Sequence, residues 1–187
     1  FLNLNHQASI DAFKKLGLHE WNDDLKANAL LFETGKMDEL QFMEAVQKHI
    51  PNAELSAIRS AWNAIIGDFP LERLEFLEKL QNKYDIFLLS NTNPTHIDKF
   101  EHRVGLTFAR EFYAHFNKIY FSYETKVRKP DEAVFNLILK QNNLKPNKTL
   151  FVDDTLEHIE VAKTLGINTW QILVGQDDVT NLFDKKI

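Results

Sequence analysis

From Ala8 to Gln81 apolar residues recur at helical spacing, and no stretch has the short apolar run of a strand. Ser9 to Leu16 stops at Gly17, Leu25 to Phe32 ends at Thr34-Gly35, and Asp38 to Ile50 runs up to Pro51. Ala53 to Ile66 precedes Gly67, and Leu71 to Leu80 follows Pro70. Amphipathic helices in unbroken succession predict a bundle. After Lys83 the rhythm changes. Tyr84–Leu89, Ile119–Phe121, Thr149–Val152 and Asn168–Val174 are apolar runs of strand length. Between them lie helical segments at Thr95–His102, Phe108–His115, Asp131–Gln141 and Leu156–Leu165, with Pro130 expected in the first turn of the third. Strands alternating with helices predict an α/β fold with a doubly wound parallel sheet. The expected layout is a helical-bundle cap at residues 8–81, inserted into an α/β core made of residues 1–7 and 82–187. Phe1-Leu2-Asn3-Leu4-Asn5 reads as a loop leaving a strand, so a buried strand is expected immediately upstream of Phe1.

Composition narrows the classes. The 187 residues are 44% hydrophobic and 26% charged, enough for a full core with an insertion. A net charge of −5 without a basic run argues against nucleic acid as a partner. No apolar stretch approaches the ~20 residues that span a bilayer, so no membrane partner is expected. Cysteine is absent, which removes disulfides, thiolate metal sites and a thiol nucleophile, and fits a cytoplasmic location. The 7 histidines show no zinc-binding spacing, and 6 glycines build no dinucleotide or nucleotide-phosphate loop.

The chemistry gathers at the ends of the expected strands, the edge where parallel sheets bind ligands. Ser90-Asn91 follows the first run, where a hydroxyl and backbone N–H groups at a helix mouth suit an anionic oxygen. The plainer reading is that Ser90, Thr92 or Asn93 caps the helix after Pro94. Lys129 stands ahead of Pro130 and can neutralise a phosphate beside a carboxylate, although most lysines are solvated surface groups. Lys126 and Arg128 read as rim charges. Asp153-Asp154 closes the third run. Adjacent carboxylates raise each other's pKa unless a cation stands beside them, and magnesium takes one or two carboxylates with waters and phosphate oxygens. The alternative is one aspartate capping the next helix and the other facing water. Trp21, Phe32, Phe42 and Trp62 read as bundle core before pocket lining.

Together LLSNTN, VRKPD and LFVDD resemble the second, third and fourth motifs of the haloacid dehalogenase-like hydrolase superfamily, over about Asp85 to Leu173. The helical block, with FETGK and WNAIIGDFP, is similar to the small cap of the subgroup containing sugar-phosphate phosphatases. The resemblance implies that Ser90 binds the transferring phosphoryl group, Asn91 shapes its pocket and Lys129 bridges phosphate and nucleophile. It implies Mg2+ as cofactor, held by Asp154 with Asp153 acting directly or through water. The implied substrate is a small phosphorylated metabolite such as a sugar phosphate, and the implied intermediate is an aspartyl-phosphate. The first motif, which carries the aspartate nucleophile, matches no segment and is expected just upstream of Phe1. Two positions depart from the pattern: Lys126 replaces a usual glycine, which is expected to alter the loop's path, and His158 stands where asparagine is common. Metal-free carbon–halogen hydrolysis and a non-catalytic binding protein are the competing readings. The acidic pair argues against the first; the second holds if no nucleophile exists.

Overall fold

A computed structural model describes residues 2–185. The chain forms two compact units, residues 1–126 and 127–187. The first begins with helices α1 (His6–Lys15), α2 (Asp23–Glu33), α3 (Glu39–Gln47), α4 (Leu55–Asn63) and α5 (Leu71–Gln81). Local signals fix their ends. The Asn5 and Asn22 side chains cap α1 and α2, and Asp38 with Gln41 forms a reciprocal capping box on α3. Each helix buries one stripe. Phe13, Leu25, Phe32, Phe42, Val46 and Ile58 meet in a shared core, with Trp21 and Trp62 packed partly buried against it. The four aromatics are thus mainly core, as their spacing suggests. Phe42 is fully buried, and its truncation to alanine would cost about 3–5 kcal/mol. Leu4 bridges Ile66 in antiparallel fashion, tying the chain's entry to the segment between α4 and α5.

The remainder of the first unit is β1 (Phe87–Ser90), α6 (Pro94–Val104), α7 (Leu106–Ala114), β2 (Lys118–Phe121) and the short helix α8 (Ser122–Thr125), which no sequence signal marks. β1 and β2 pair in parallel, with Ser90 opposite Phe121. Phe69 meets Phe108 and Phe112 edge to face, with centroids 5.2 and 5.1 Å away, sealing α6 and α7 with their neighbours.

The second unit holds α9 (Glu132–Gln141), β3 (Leu150–Asp153), α10 (Leu156–Thr164) and β4 (Asn168–Gln171). β3 and β4 are parallel in direct register from Leu150↔Asn168 to Asp153↔Gln171. Phe135 of α9 stands edge-on to Phe151 of β3 at 5.1 Å. The fold is α/β with parallel strands joined through helices, as the alternation predicts. Among the described residues the strands pair as two two-stranded sheets, one in each unit. Pro130 is not in the first turn of α9. It precedes Asp131, whose carboxylate caps the helix by accepting from the Ala133 N–H, because an aspartate N-cap outcompetes proline for the helix start. No helix among the described residues is long and apolar enough to cross a membrane.

Candidate active site

In the first unit the chain leaves β1 at Ser90 and reaches α6 through Asn91, Thr92 and Asn93. Ser90 and Asn91 are half-buried, and Thr92 and Asn93 are buried. The cap of α6 is Asn93, whose Oδ1 accepts from the His96 N–H at 3.1 Å. The Ser90 hydroxyl is therefore not spent on helix capping. Thr92 is clamped on both backbone groups: its N–H donates to Ser122 Oγ at 2.9 Å, and the Ser122 hydroxyl donates to its carbonyl at 3.0 Å. His96 fixes the far end. Its Nε2 lies 3.2 Å from the Trp62 carbonyl, which can only accept, so Nε2 carries the proton and Nδ1 accepts from the Asn93 amide at 3.0 Å. Burial lowers the His96 pKa to about 4, against a smaller opposing pull from the Trp62 carbonyl. The ring stacks on Trp62 at 5.1 Å, and Trp62 stacks on Trp21 at 5.8 Å. The Thr95 hydroxyl has two acceptors in reach, Asn63 Oδ1 at 3.0 Å and Asn93 Oδ1 at 2.9 Å. The loop is thus held by neutral groups.

In the second unit the polar edge is built from charges. Lys129 is buried, and its Nζ donates to Asp153 Oδ2 at 2.6 Å, with side-chain exposures of 9% and 8%. Asp153 Oδ1 accepts from the Thr155 N–H at 2.9 Å and from His158 Nδ1 at 3.0 Å. A carboxylate only accepts, so Nδ1 is the protonated nitrogen of His158. Burial pushes the Asp153 pKa up, but the His158 hydrogen bond, the Lys129 charge and the Thr155 N–H together hold it well below the usual carboxylate range. β3 ends at Asp153, and Asp154 lies in the bend that follows. Asp153 is drawn inward, while Asp154 is exposed, its Oδ1 approached at 3.3 Å by the Thr155 hydroxyl. The cation that offsets one carboxylate is Lys129 itself.

A cleft of about 360 Å³ lies within the first unit, walled by Phe32 of α2, residues 35–38 of the α2–α3 turn, Glu39 of α3, Pro94, Tyr123 and Lys126. Lys126 takes the left-handed conformation, with φ 64° and ψ 5°. A glycine accepts this freely and a lysine at a cost of about 1 kcal/mol. The Lys126 ammonium donates to the carbonyls of Gly35 and Tyr123, both at 2.9 Å.

Of the residues singled out in the sequence, the structure joins Lys129 to Asp153, with Asp154 next in the chain. Ser90 and Asn91 lie in the other unit, at the end of its own first strand. Sequence reasoning missed Ser122 and His96, whose partners stand 30 and 34 residues away. It marked His158 only as a departure, although its position on the first turn of α10 brings it back onto Asp153.

A family model described as haloacid dehalogenase-like hydrolase matches residues 5–166. The chain is similar to the D-ribitol-5-phosphate phosphatase of Bacteroides thetaiotaomicron, with 27% identity over 183 residues, covering 94% of this chain and 88% of the relative. It is also similar to the solved structure of a HAD family enzyme from Bacteroides thetaiotaomicron, the wild-type protein in complex with magnesium and inorganic phosphate. That match has 30% identity and a TM-score of 0.83, and covers 97% of this chain and 93% of that one. A HAD-like family hydrolase from Porphyromonas gingivalis matches with a TM-score of 0.82 at 25% identity, covering 98% and 91% of the two chains.

Proposed function

The chain belongs to the haloacid dehalogenase-like hydrolase family, and on that premise we propose that it is a magnesium-dependent phosphatase acting on a small phosphorylated metabolite, a sugar or polyol phosphate. The observation that carries this reading is the Lys129–Asp153 pair, buried at a strand end with the exposed carboxylate of Asp154 beside it. A buried ammonium fixed by a carboxylate is a preorganised site for equatorial phosphoryl charge. The similarity to a phosphatase of a polyol phosphate supports the substrate class.

The residues fit a magnesium ion by their chemistry. Asp154 offers a hard oxygen donor open to solvent, and magnesium needs only one or two protein carboxylates with waters and phosphate oxygens. Asp153 has both oxygens engaged by Lys129, Thr155 and His158, so its role is to hold Lys129 and to shape the field at Asp154. Asp154 would hold the ion, which when bound would add positive charge at the phosphoryl oxygens and orient the ester.

The attacking group in this reading is the aspartate expected just upstream of Phe1, outside the described residues. Its carboxylate oxygen forms a bond to phosphorus as the ester oxygen leaves with the bonding electrons and takes up a proton. Water then releases inorganic phosphate from the aspartyl-phosphate and regenerates the carboxylate. Lys129 spreads its charge over the transferring oxygens. In the first unit the loop after β1 carries Ser90 and Asn91 and is kept in place by the Ser122 clamp on Thr92.

Phosphate release from sugar and polyol phosphates with magnesium, with and without EDTA, tests the reading. Release that stops on chelation is expected. Failure to release phosphate from any ester, or release that persists in EDTA, overturns it.

A further inference from the structure

The C-terminal end of α4 seats two side chains from the first turn of α6. His96 donates from Nε2 to the Trp62 carbonyl, in the last turn of α4, where a helix runs short of its own donors. Thr95 has Asn63 Oδ1 3.0 Å from its hydroxyl. Both side chains also reach Asn93. The His96 Nδ1 accepts from the Asn93 NH2 at 3.0 Å, and the Thr95 hydroxyl lies 2.9 Å from Asn93 Oδ1. Asn93 is fully buried, and its Oδ1 caps α6 by accepting from the His96 N–H. The amide is locked in this sense: turned over, its NH2 would face the His96 N–H and its oxygen the Nδ1 lone pair. The chain between β1 and α6 is therefore gripped twice, at Thr92 by Ser122 and at Asn93 by a seat on α4. Ser90 and Asn91 directly precede both grips.

We infer that His96 is a positioning residue for phosphate binding: it transmits the placement of the α4 end to the loop that carries Ser90. Both ring nitrogens are spent on protein partners, so the imidazole acts through Asn93 and not on the ester. Stacking on Trp62 at 5.1 Å fixes the ring's plane, and Thr95 supports the same asparagine from the neighbouring position. The helical block thereby sets the shape of a loop to which it contributes no residue. The inference rests on the phosphatase reading, which gives that loop its phosphate, and deepens it by naming what holds the loop ready. Misplacement of a binding group by about an ångström is costly in a preorganised site.

Calorimetry of inorganic phosphate binding in the presence of magnesium reads the loop apart from turnover. His96→Leu keeps apolar bulk and drops both ring hydrogen bonds, and its affinity is expected to fall about tenfold. His96→Gln can still donate to the Trp62 carbonyl and should recover part of that loss. Val46→Ala, a cavity in the core of the helical block, lowers stability without touching the seat and should bind phosphate as the wild type does. Wild-type affinity in folded His96→Leu, an equal fall in Val46→Ala, or no recovery in His96→Gln overturns the inference. Should His96→Leu fail to fold, Thr95→Val takes its place, with an expected fall of about threefold; an unchanged affinity overturns the inference. If the wild type binds no phosphate, the phosphatase reading fails instead, and amide hydrogen exchange at Asn91, Thr92 and Asn93 decides His96. Faster exchange there in His96→Leu than in Val46→Ala sustains its hold on the loop, and equal exchange overturns it.

Discussion

At the end of β1 the chain meets its buried polar groups with neutral partners, an asparagine amide, two hydroxyls and an uncharged imidazole; at the end of β3 it uses an ammonium and a carboxylate. Both edges are well satisfied, but they are vulnerable to different insults. A neutral network fails when one member gains a proton. A buried ion pair fails when one member is deleted, since the survivor keeps its charge without its partner. The difference also suggests a division of labour, in which the first edge fixes loop shape and the second supplies field.

Deleting the charge should give the largest effect. Lys129→Met leaves the Asp153 carboxylate buried and should cost about 3–5 kcal/mol in urea unfolding, with phosphate release down by about two to three orders of magnitude. Adding Asp153→Asn should return much of the stability and none of the activity; recovery of turnover would refute the role given to the ammonium.

Acid separates the edges next. His96 stays neutral in the folded state down to about 4, whereas the unfolded ring takes a proton below 6.5. Its contribution is therefore complete above pH 6.5 and is lost as pH falls from 6.5 to about 4, by on the order of 3 kcal/mol. Asp153 behaves otherwise. Its pKa is depressed, so its contribution persists through that window and is lost only as pH falls below 3.8. Amide hydrogen exchange at pH 5 should show α6 opening before β3. The urea midpoint of His96→Gln should lose the slope between pH 7 and 4.5; an unchanged slope would remove His96 as its source.

A smaller effect is expected at His158. Its replacement by alanine removes one of three donors to Asp153 and should cost about 1–2 kcal/mol, whereas His158→Asn can keep the bond and should cost less. Urea titrations of the two variants check the ranking. Smallest in stability is Asp154→Ala, within about 0.5 kcal/mol of the parent because the side chain is exposed. Its phosphate release should nonetheless collapse, and near-normal release would take Asp154 out of the metal's reach.

The alternation of elements is legible in the sequence because it is written in local periodicity, and so are the strand-end positions of Ser90 and Asp153. Boundaries are less so. β4 stops at Gln171, not Val174, because the chain turns at Gly175 with φ 83° and leaves Val174 at 80% exposure. The sequence shows Asp153 and Asp154 as a pair, whereas the structure ends β3 at Asp153 and leaves Asp154 in the exposed bend beyond it. That split depends on where β3 ends, which spacing alone does not encode. Ser122 and His96 leave no local signal at all, since their partners come from distant turns and helices. Lys126 is visible as a departure from glycine. That it adopts a left-handed turn emerges only from the backbone, where its ammonium finds carbonyls across the chain.

The stacked Trp21, Trp62 and His96 rings have a practical consequence. Of the 3 tryptophans, Trp21 and Trp62 belong to the helical block, while Trp170 sits in β4 with Lys185 5.6 Å from its ring. Indole emission is quenched by a stacked imidazolium, so the protein carries its own optical gauge of the charge on His96. With Trp170→Phe as background, that light can be followed through an acid titration without any attached dye.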